Sequence, residues 1–117
     1  MKHLKKNSRK FGRLADYRKS FLSNLVNSLI LKGRIRTTET RAKEIRSLVE
    51  RAITRAKTDN LSNRRLLVKT LDKKAVIKLF KDVAPRFKER IGGYTRILKI
   101  GARKNDAAKL VFIEFVK

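Results

Sequence analysis

The sequence predicts an α+β fold: three or four helices packed on a small, mainly antiparallel sheet, with a basic N-terminal arm in front. Three observations predict it. Apolar residues recur at helical spacing from Tyr17 to Val83, and two runs rich in β-branched and aromatic residues follow the Gly92–Gly93 pair. The opening residues carry charge of nearly one sign with few apolar side chains to anchor them. At 117 residues the chain is about one domain's worth, enough to bury a modest core without disulfides or metal. The expected division is a basic arm over residues 1–15 and a single compact α+β domain over 16–117.

The first stretch, Met1 to Lys19, holds Lys2, Lys5, Lys6, Arg9, Lys10, Arg13, Arg18 and Lys19 against the single acid Asp16. Such a segment cannot offset its ordering entropy alone, so its first dozen residues read as an arm that becomes ordered on binding. A tail kept only for solubility would not need one sign of charge so exclusively. From about Asp16 the pattern turns helical, with Tyr17, Phe21, Leu22, Leu25, Val26, Leu29 and Ile30 on one face. Gly33 supplies the stop.

RIRTT reads as a brief strand, a candidate third strand of the sheet, and Thr38 as the cap of the next helix, with Glu39 in its first turn. That helix has the clearest periodicity: Ala42, Ile45, Val49, Ala52, Ile53 and Ala56 share one face, and Arg41, Lys43, Arg46, Glu50, Arg51 and Arg55 the other. TDNLSN supplies turn and cap chemistry before a shorter helix over RRLLVKTL. Asp72 caps another, in which Val76, Leu79, Phe80 and Val83 repeat until Pro85 halts it.

After the glycines, YTRILKI and KLVFIEFV read as strands joined through GARKNDAAK. Val111, Ile113 and Phe115 face a core and Glu114 faces out. In the first run Tyr94, Arg96, Leu98 and Ile100 share one parity, so the arginine is expected near a strand end or rim, reaching water or ligand.

The charge narrows the function. Against 33 Lys and Arg stand 10 Asp and Glu, a formal net charge of +23. Like charges so dense on a small body repel one another, and a polyanion relieves that repulsion while releasing its own counterions. Nucleic acid is the leading candidate. Membrane-surface binders concentrate charge on one helix face opposite Trp, Phe or Leu, whereas here it runs the whole length and Trp is absent. No segment reaches the ~20 apolar residues of a bilayer span, and MKHLKKNSRKFGRLA has no apolar region after its basic start, so no secretory signal is expected.

Catalysis has no support. Cysteine is absent, His3 is the sole histidine and sits inside the basic arm, and the acids are spaced for helix-surface ion pairs: Glu39 with Lys43, Arg46 with Glu50, Arg41 with Glu44. No enzyme activity, cofactor, metal or small-molecule substrate is expected. Gly92 and Gly93 alone read as the entry from a turn into a strand, with positive φ or close packing; a side-chain-free backbone there also permits close approach of phosphate. Charge beside the loop favours a long ligand: Arg86, Lys88 and Arg90 precede it, Arg96 and Lys99 follow, and Arg103 with Lys104 tips the hairpin. Tyr94 either stacks on a base or completes the core, the core being the plainer reading. No motif for reading the DNA groove appears, and charge spread over arm, helices and hairpin suits a folded RNA.

Read in order, MKH, RKSFLSNL, KGRIRTTETRAKEIR, AKTDN, NRR, KLF, PRF and above all GGYTRILKIG resemble the bacterial large-subunit ribosomal protein L17 family, nearly end to end. Tyr17 stands before Arg18–Lys19 where the family pattern has a histidine. The resemblance implies a small α+β fold, structural binding to large-subunit ribosomal RNA near the peptide exit side, and neighbouring ribosomal proteins as further partners, in the cytoplasm. Carried over by motif, the RNA-facing residues are Lys2, His3, Arg9, Lys10, Arg13, Arg18, Lys19, Arg36, Arg64, Arg65, Arg90, Tyr94, Arg96 and Lys99. To these the charge pattern adds Lys5, Lys6, Arg86, Gly92, Gly93, Arg103 and Lys104. The alternative function is a general DNA-compacting basic protein, which also needs only charge and a small fold.

Overall fold

The computed structural model describes residues 15–104 and 108–116; the arm positions Lys2, His3, Lys5, Lys6, Arg9, Lys10 and Arg13 lie outside them. Helix α1 (Ala15–Lys32) buries Leu22, Val26, Leu29 and Ile30, with Phe21 and Leu25 packed partly against the same core. Tyr17, expected on this face, is 62% exposed, because burial starts only at the next turn. Asn27, which interrupts the apolar run, is itself buried: its side-chain carbonyl accepts the Asp72 N–H at 3.0 Å, tying α1 to the start of a helix 45 residues on. Gly33 ends α1 with φ of 82°, where a side chain would be strained, and its N–H closes on the Leu29 carbonyl at 2.7 Å.

Strand β1 (Arg34–Thr38) follows, and Thr38 caps α2 (Glu39–Ala56) by accepting the Arg41 N–H at 3.5 Å. The six apolar residues read as one face of α2 are all buried. Asn60 caps α3 (Leu61–Val68) by accepting the Asn63 N–H at 2.8 Å, so this helix starts before the expected RRLLVKTL. Asp72 stands at the N-cap of α4 (Lys73–Lys78), but its side chain makes no capping bond; its backbone N–H is held by Asn27 instead.

The end of this region departs from expectation. Helix α4 widens into a π-helical stretch over Leu79–Val83, followed by α5 (Ala84–Arg86), so the coil passes through Pro85 and ends one residue later. Proline removes an N–H and its ring crowds the carbonyl one turn back. The wider turn, in which the Ala84 N–H reaches the Leu79 carbonyl, lets the chain continue.

Among the described residues, β1, β2 (Thr95–Ala102) and β3 (Lys109–Phe115) form one antiparallel sheet in the order β1-β3-β2. RIRTT is therefore a strand of this sheet, at its edge. Val111, Ile113 and Phe115 point into the core between sheet and helices, as their alternation predicts. On the other face the register aligns Arg34, Glu114 and Arg96 in one row and Arg36, Phe112 and Leu98 in the next. Among the described residues the helices lie on one side of the sheet and none covers this second face.

One contact fixes how sheet and helices meet. Glu50 on α2 accepts both the backbone N–H (3.2 Å) and the hydroxyl (3.1 Å) of Thr95, the first residue of β2, while Arg46 lies 3.9 Å away. Thr95 is buried. Glu50→Ala leaves those two donors unsatisfied and is expected to cost about 1–3 kcal/mol, read as a lower midpoint in urea denaturation with unchanged m. An exposed helix-surface acid would cost only a few tenths.

Candidate nucleic-acid interface

The glycine loop is built on Tyr94. That residue is wholly buried, its ring 5.2 Å from Phe87, which in turn lies 6.2 Å from Phe115. Its hydroxyl, the one polar point of an apolar ring, donates to the Ile91 carbonyl at 3.1 Å and meets the Thr54 hydroxyl at 3.3 Å and the Lys57 ammonium at 3.2 Å. Lys57 also donates to the Arg90 carbonyl. The Thr54 bond first, then Lys57, hold the phenol pKa below its ordinary value, against the opposing effect of burial. Tyr94 thus acts from within, clamping residues 90–91 to α2, and its ring is enclosed by core side chains.

Gly93 adopts φ of 64°, which explains a glycine there; Gly92 has neither a positive φ nor a close neighbour, and nothing in the structure requires a glycine at that position. Both are exposed, and Arg90 folds back so that its Nε donates to the Gly92 carbonyl at 3.1 Å. Ile91 beside them is 95% exposed.

The expected contact residues within the described chain fall into separate groups. Arg86, Arg90, Gly92 and Gly93 line the approach to β2. Arg36 and Arg96 lie on the open sheet face, and Lys99, Arg103 and Lys104 are exposed along the far end of β2. Arg64 and Arg65 stand on α3, and Arg18 and Lys19 on the first turns of α1.

Their states differ, because the acids hold some arginines in place. Glu114 binds Arg96 at 2.6 Å and Arg34 at 3.1 Å, which leaves its side chain only 14% exposed although it faces outward; Arg34 lies over the Phe112 ring at 3.7 Å. Asp59 grips Arg64 through two bonds of 2.6 and 2.9 Å, and Arg64 lies 4.5 Å over Phe80. That bond lowers the Asp59 pKa and raises that of Arg64. Arg86 pairs with Asp82 at 3.8 Å. The Glu39–Lys43 and Arg46–Glu50 pairs form as spaced, while Arg41 lies over the Phe21 ring at 4.9 Å rather than with Glu44. By contrast Arg36, Arg65 and Lys99 have no ion-pair partner among the described residues.

Two cations of the polar face of α2 complete a further feature. Arg51 and Arg55, one turn apart and exposed, join Arg18 and Lys19 around an open cleft of about 670 Å³ between α1 and α2. They also border a second depression of about 500 Å³ toward Ile91 and Gly92. The signal in the sequence was their spacing of four on one helix.

Comparison with known proteins places this architecture. The family model described as Ribosomal protein L17 matches residues 21–116. Among similar proteins, the large ribosomal subunit protein bL17 of Moorella thermoacetica is 51% identical over 109 residues, covering 92% of this chain and 97% of the relative. The protein of the same name from Thermoanaerobacter pseudethanolicus is 52% identical over 109 residues, with 92% and 97% covered. That of Clostridium botulinum (strain Loch Maree / Type A3) is 50% identical over 109 residues, with 92% and 96% covered.

Proposed function

This chain belongs to the bacterial ribosomal protein L17 family, and from that premise we propose that it serves the large ribosomal subunit by binding large-subunit ribosomal RNA and neutralising phosphates where RNA segments approach one another, near the peptide exit side. Its role is that of a structural ribosomal component, not an enzyme, and its place is the ribosome of the bacterial cytoplasm. Other proteins of the subunit are its neighbours there.

The observation that carries the RNA reading is the surplus and spread of unpaired cations. With a formal charge of +23, the chain has far more arginine and lysine than its acids can hold. The acids that are engaged fix a subset of arginines in position, while Arg36 on the sheet face, Arg65 on α3 and Lys99 on β2 have no ion-pair partner among the described residues, and further cations border the α1–α2 cleft. Among the described residues they occupy several separate surfaces rather than one. A ligand that meets them together is long, anionic and folded, which describes ribosomal RNA better than a straight duplex. Paired arginines such as Arg64 and Arg96 supply orientation: a guanidinium already held by a carboxylate keeps donors aimed outward at lower entropic cost.

Neutralising roughly eight phosphates makes log K fall with log salt concentration at a slope of about -6 to -7. Filter binding of the full chain to large-subunit ribosomal RNA between about 50 and 200 mM salt measures it. A slope near zero overturns phosphate neutralisation as the basis of binding.

A further inference from the structure

Ile91, in the loop between α5 and β2, is the most exposed large apolar residue among the described ones, at 95%. The backbone that carries it is held from within. Lys57 donates to the Arg90 carbonyl, the Tyr94 hydroxyl to the Ile91 carbonyl at 3.1 Å, and Arg90 Nε to the Gly92 carbonyl at 3.1 Å. Tyr94, on which this clamp rests, is wholly buried. Three successive carbonyls tied in this way fix the loop and leave the Ile91 side chain projecting into solvent. An apolar residue contributes to folding by the area it buries, and here it buries almost none. A β-branched side chain also has few rotamers to lose when it meets a partner.

Resting on the RNA reading above, we propose that Ile91 is an RNA-contact residue: its side chain packs on the face of a base that has left the stack in the bound RNA, beside phosphates met by the surrounding cations. Charge argues for this occupant. From Arg86 to Arg96 the chain carries Arg86, Lys88, Arg90 and Arg96 against one acid, Glu89. Arg86 and Arg96 are paired with Asp82 and Glu114, whereas Arg90 bonds a neutral carbonyl and keeps its charge uncompensated. Arg51 and Arg55 line the depression of about 500 Å³ that Ile91 borders, and the acid in its lining, Glu50, is bonded to Thr95. An apolar surface that docks here is therefore favoured when negative charge lies close beside it. Nucleic acid meets both conditions in one polymer, because each unstacked base presents an apolar face joined through a sugar to phosphate. Apolar side chains, isoleucine among them, enter opened base steps in this way. An apolar pocket on a neighbouring protein, the competing occupant, accepts the isoleucine but does not by itself match the charge around it.

The test measures binding of the full chain to bacterial large-subunit ribosomal RNA across a range of salt concentrations, with a thermal melt of each variant. Ile91→Ala is expected to melt like the parent chain, because so little of the side chain is covered, and to weaken binding about fivefold or more with the salt slope unchanged. Ile91→Trp offers a flat ring to the same base and is expected to bind at least as tightly as the parent chain. Ile77→Ala makes the same truncation at another exposed isoleucine, on α4, and is expected to change affinity by less than about twofold. Equal losses in Ile91→Ala and Ile77→Ala would make the effect one of general surface, and the proposal fails. A shallower salt slope in Ile91→Ala would mean that phosphate contacts were lost instead of a base contact, which overturns it. If Ile91→Trp binds no better than Ile91→Ala, no base face lies against this position and the proposal fails. If Ile91→Ala keeps its RNA affinity the proposal also fails, and poor entry into the large subunit would then assign the side chain to a protein neighbour. A parent chain that does not bind this RNA at all defeats the function proposed above and this inference with it, a result separable from the others.

Discussion

Tyr94→Ala is expected to destabilise the domain by about 3–5 kcal/mol, enough to leave it unfolded or marginal at 37 °C. The ring is wholly buried against Phe87, and its removal leaves a cavity where the α5–β2 connection meets α2. The hydroxyl adds a second effect, because it is bonded to the Ile91 carbonyl and to Thr54 and Lys57. Tyr94→Phe keeps the packing and removes only that clamp, so it is expected to cost about 1–2 kcal/mol. Urea denaturation of the two variants separates the terms. Equal, small losses in both would mean that the glycine loop, not the aromatic beneath it, organises this end of the sheet.

The largest effect on binding is expected from removing residues 1–10, which deletes Lys2, Lys5, Lys6, Arg9 and Lys10 together with His3. Among the described residues the apolar core begins with Phe21 and Leu22, and the shortened chain is expected to melt cooperatively and near the temperature of the full chain. Its affinity for large-subunit ribosomal RNA is expected to fall by about two orders of magnitude or more, with a salt slope shallower by about 3 if most of the five cations meet phosphates. Loss of the cooperative melt would instead show that the domain starts before residue 16.

What the sequence revealed and what it concealed divide along the distance over which each interaction acts. The buried face of α2 was legible in full, because Ala42, Ile45, Val49, Ala52, Ile53 and Ala56 depend only on a period of 3.6. The Thr38 cap and the Gly33 stop were legible because each is settled within one turn. Asn27 and Glu50 were not. Asn27 looked like an interruption of an apolar face and Glu50 like half of a surface pair, yet each bonds a partner 45 residues away. Local pattern carries no information about such partners.

The same limit applies to the interface. The sequence showed that cations outnumber acids but not which arginines the acids would hold, and so it did not distinguish Arg96, bound by Glu114, from Arg36 two strands away and unpaired. Arg51 and Arg55 were legible only as part of the polar face of α2, and the cleft they border depends on α1 lying opposite. Pro85 was read as a stop from its missing N–H, whereas the π-helical stretch before it absorbs that loss.

The central claim is that a wide distribution of positive charge on a small rigid body fits a folded RNA in preference to any other polyanion. Competition at matched salt between large-subunit ribosomal RNA and duplex DNA of equal phosphate content tests this most directly. The expected result is that the RNA retains the protein at salt concentrations that release it from the duplex. Equal affinity for the two polymers across the salt range would contradict the account and identify a protein that recognises phosphate density alone.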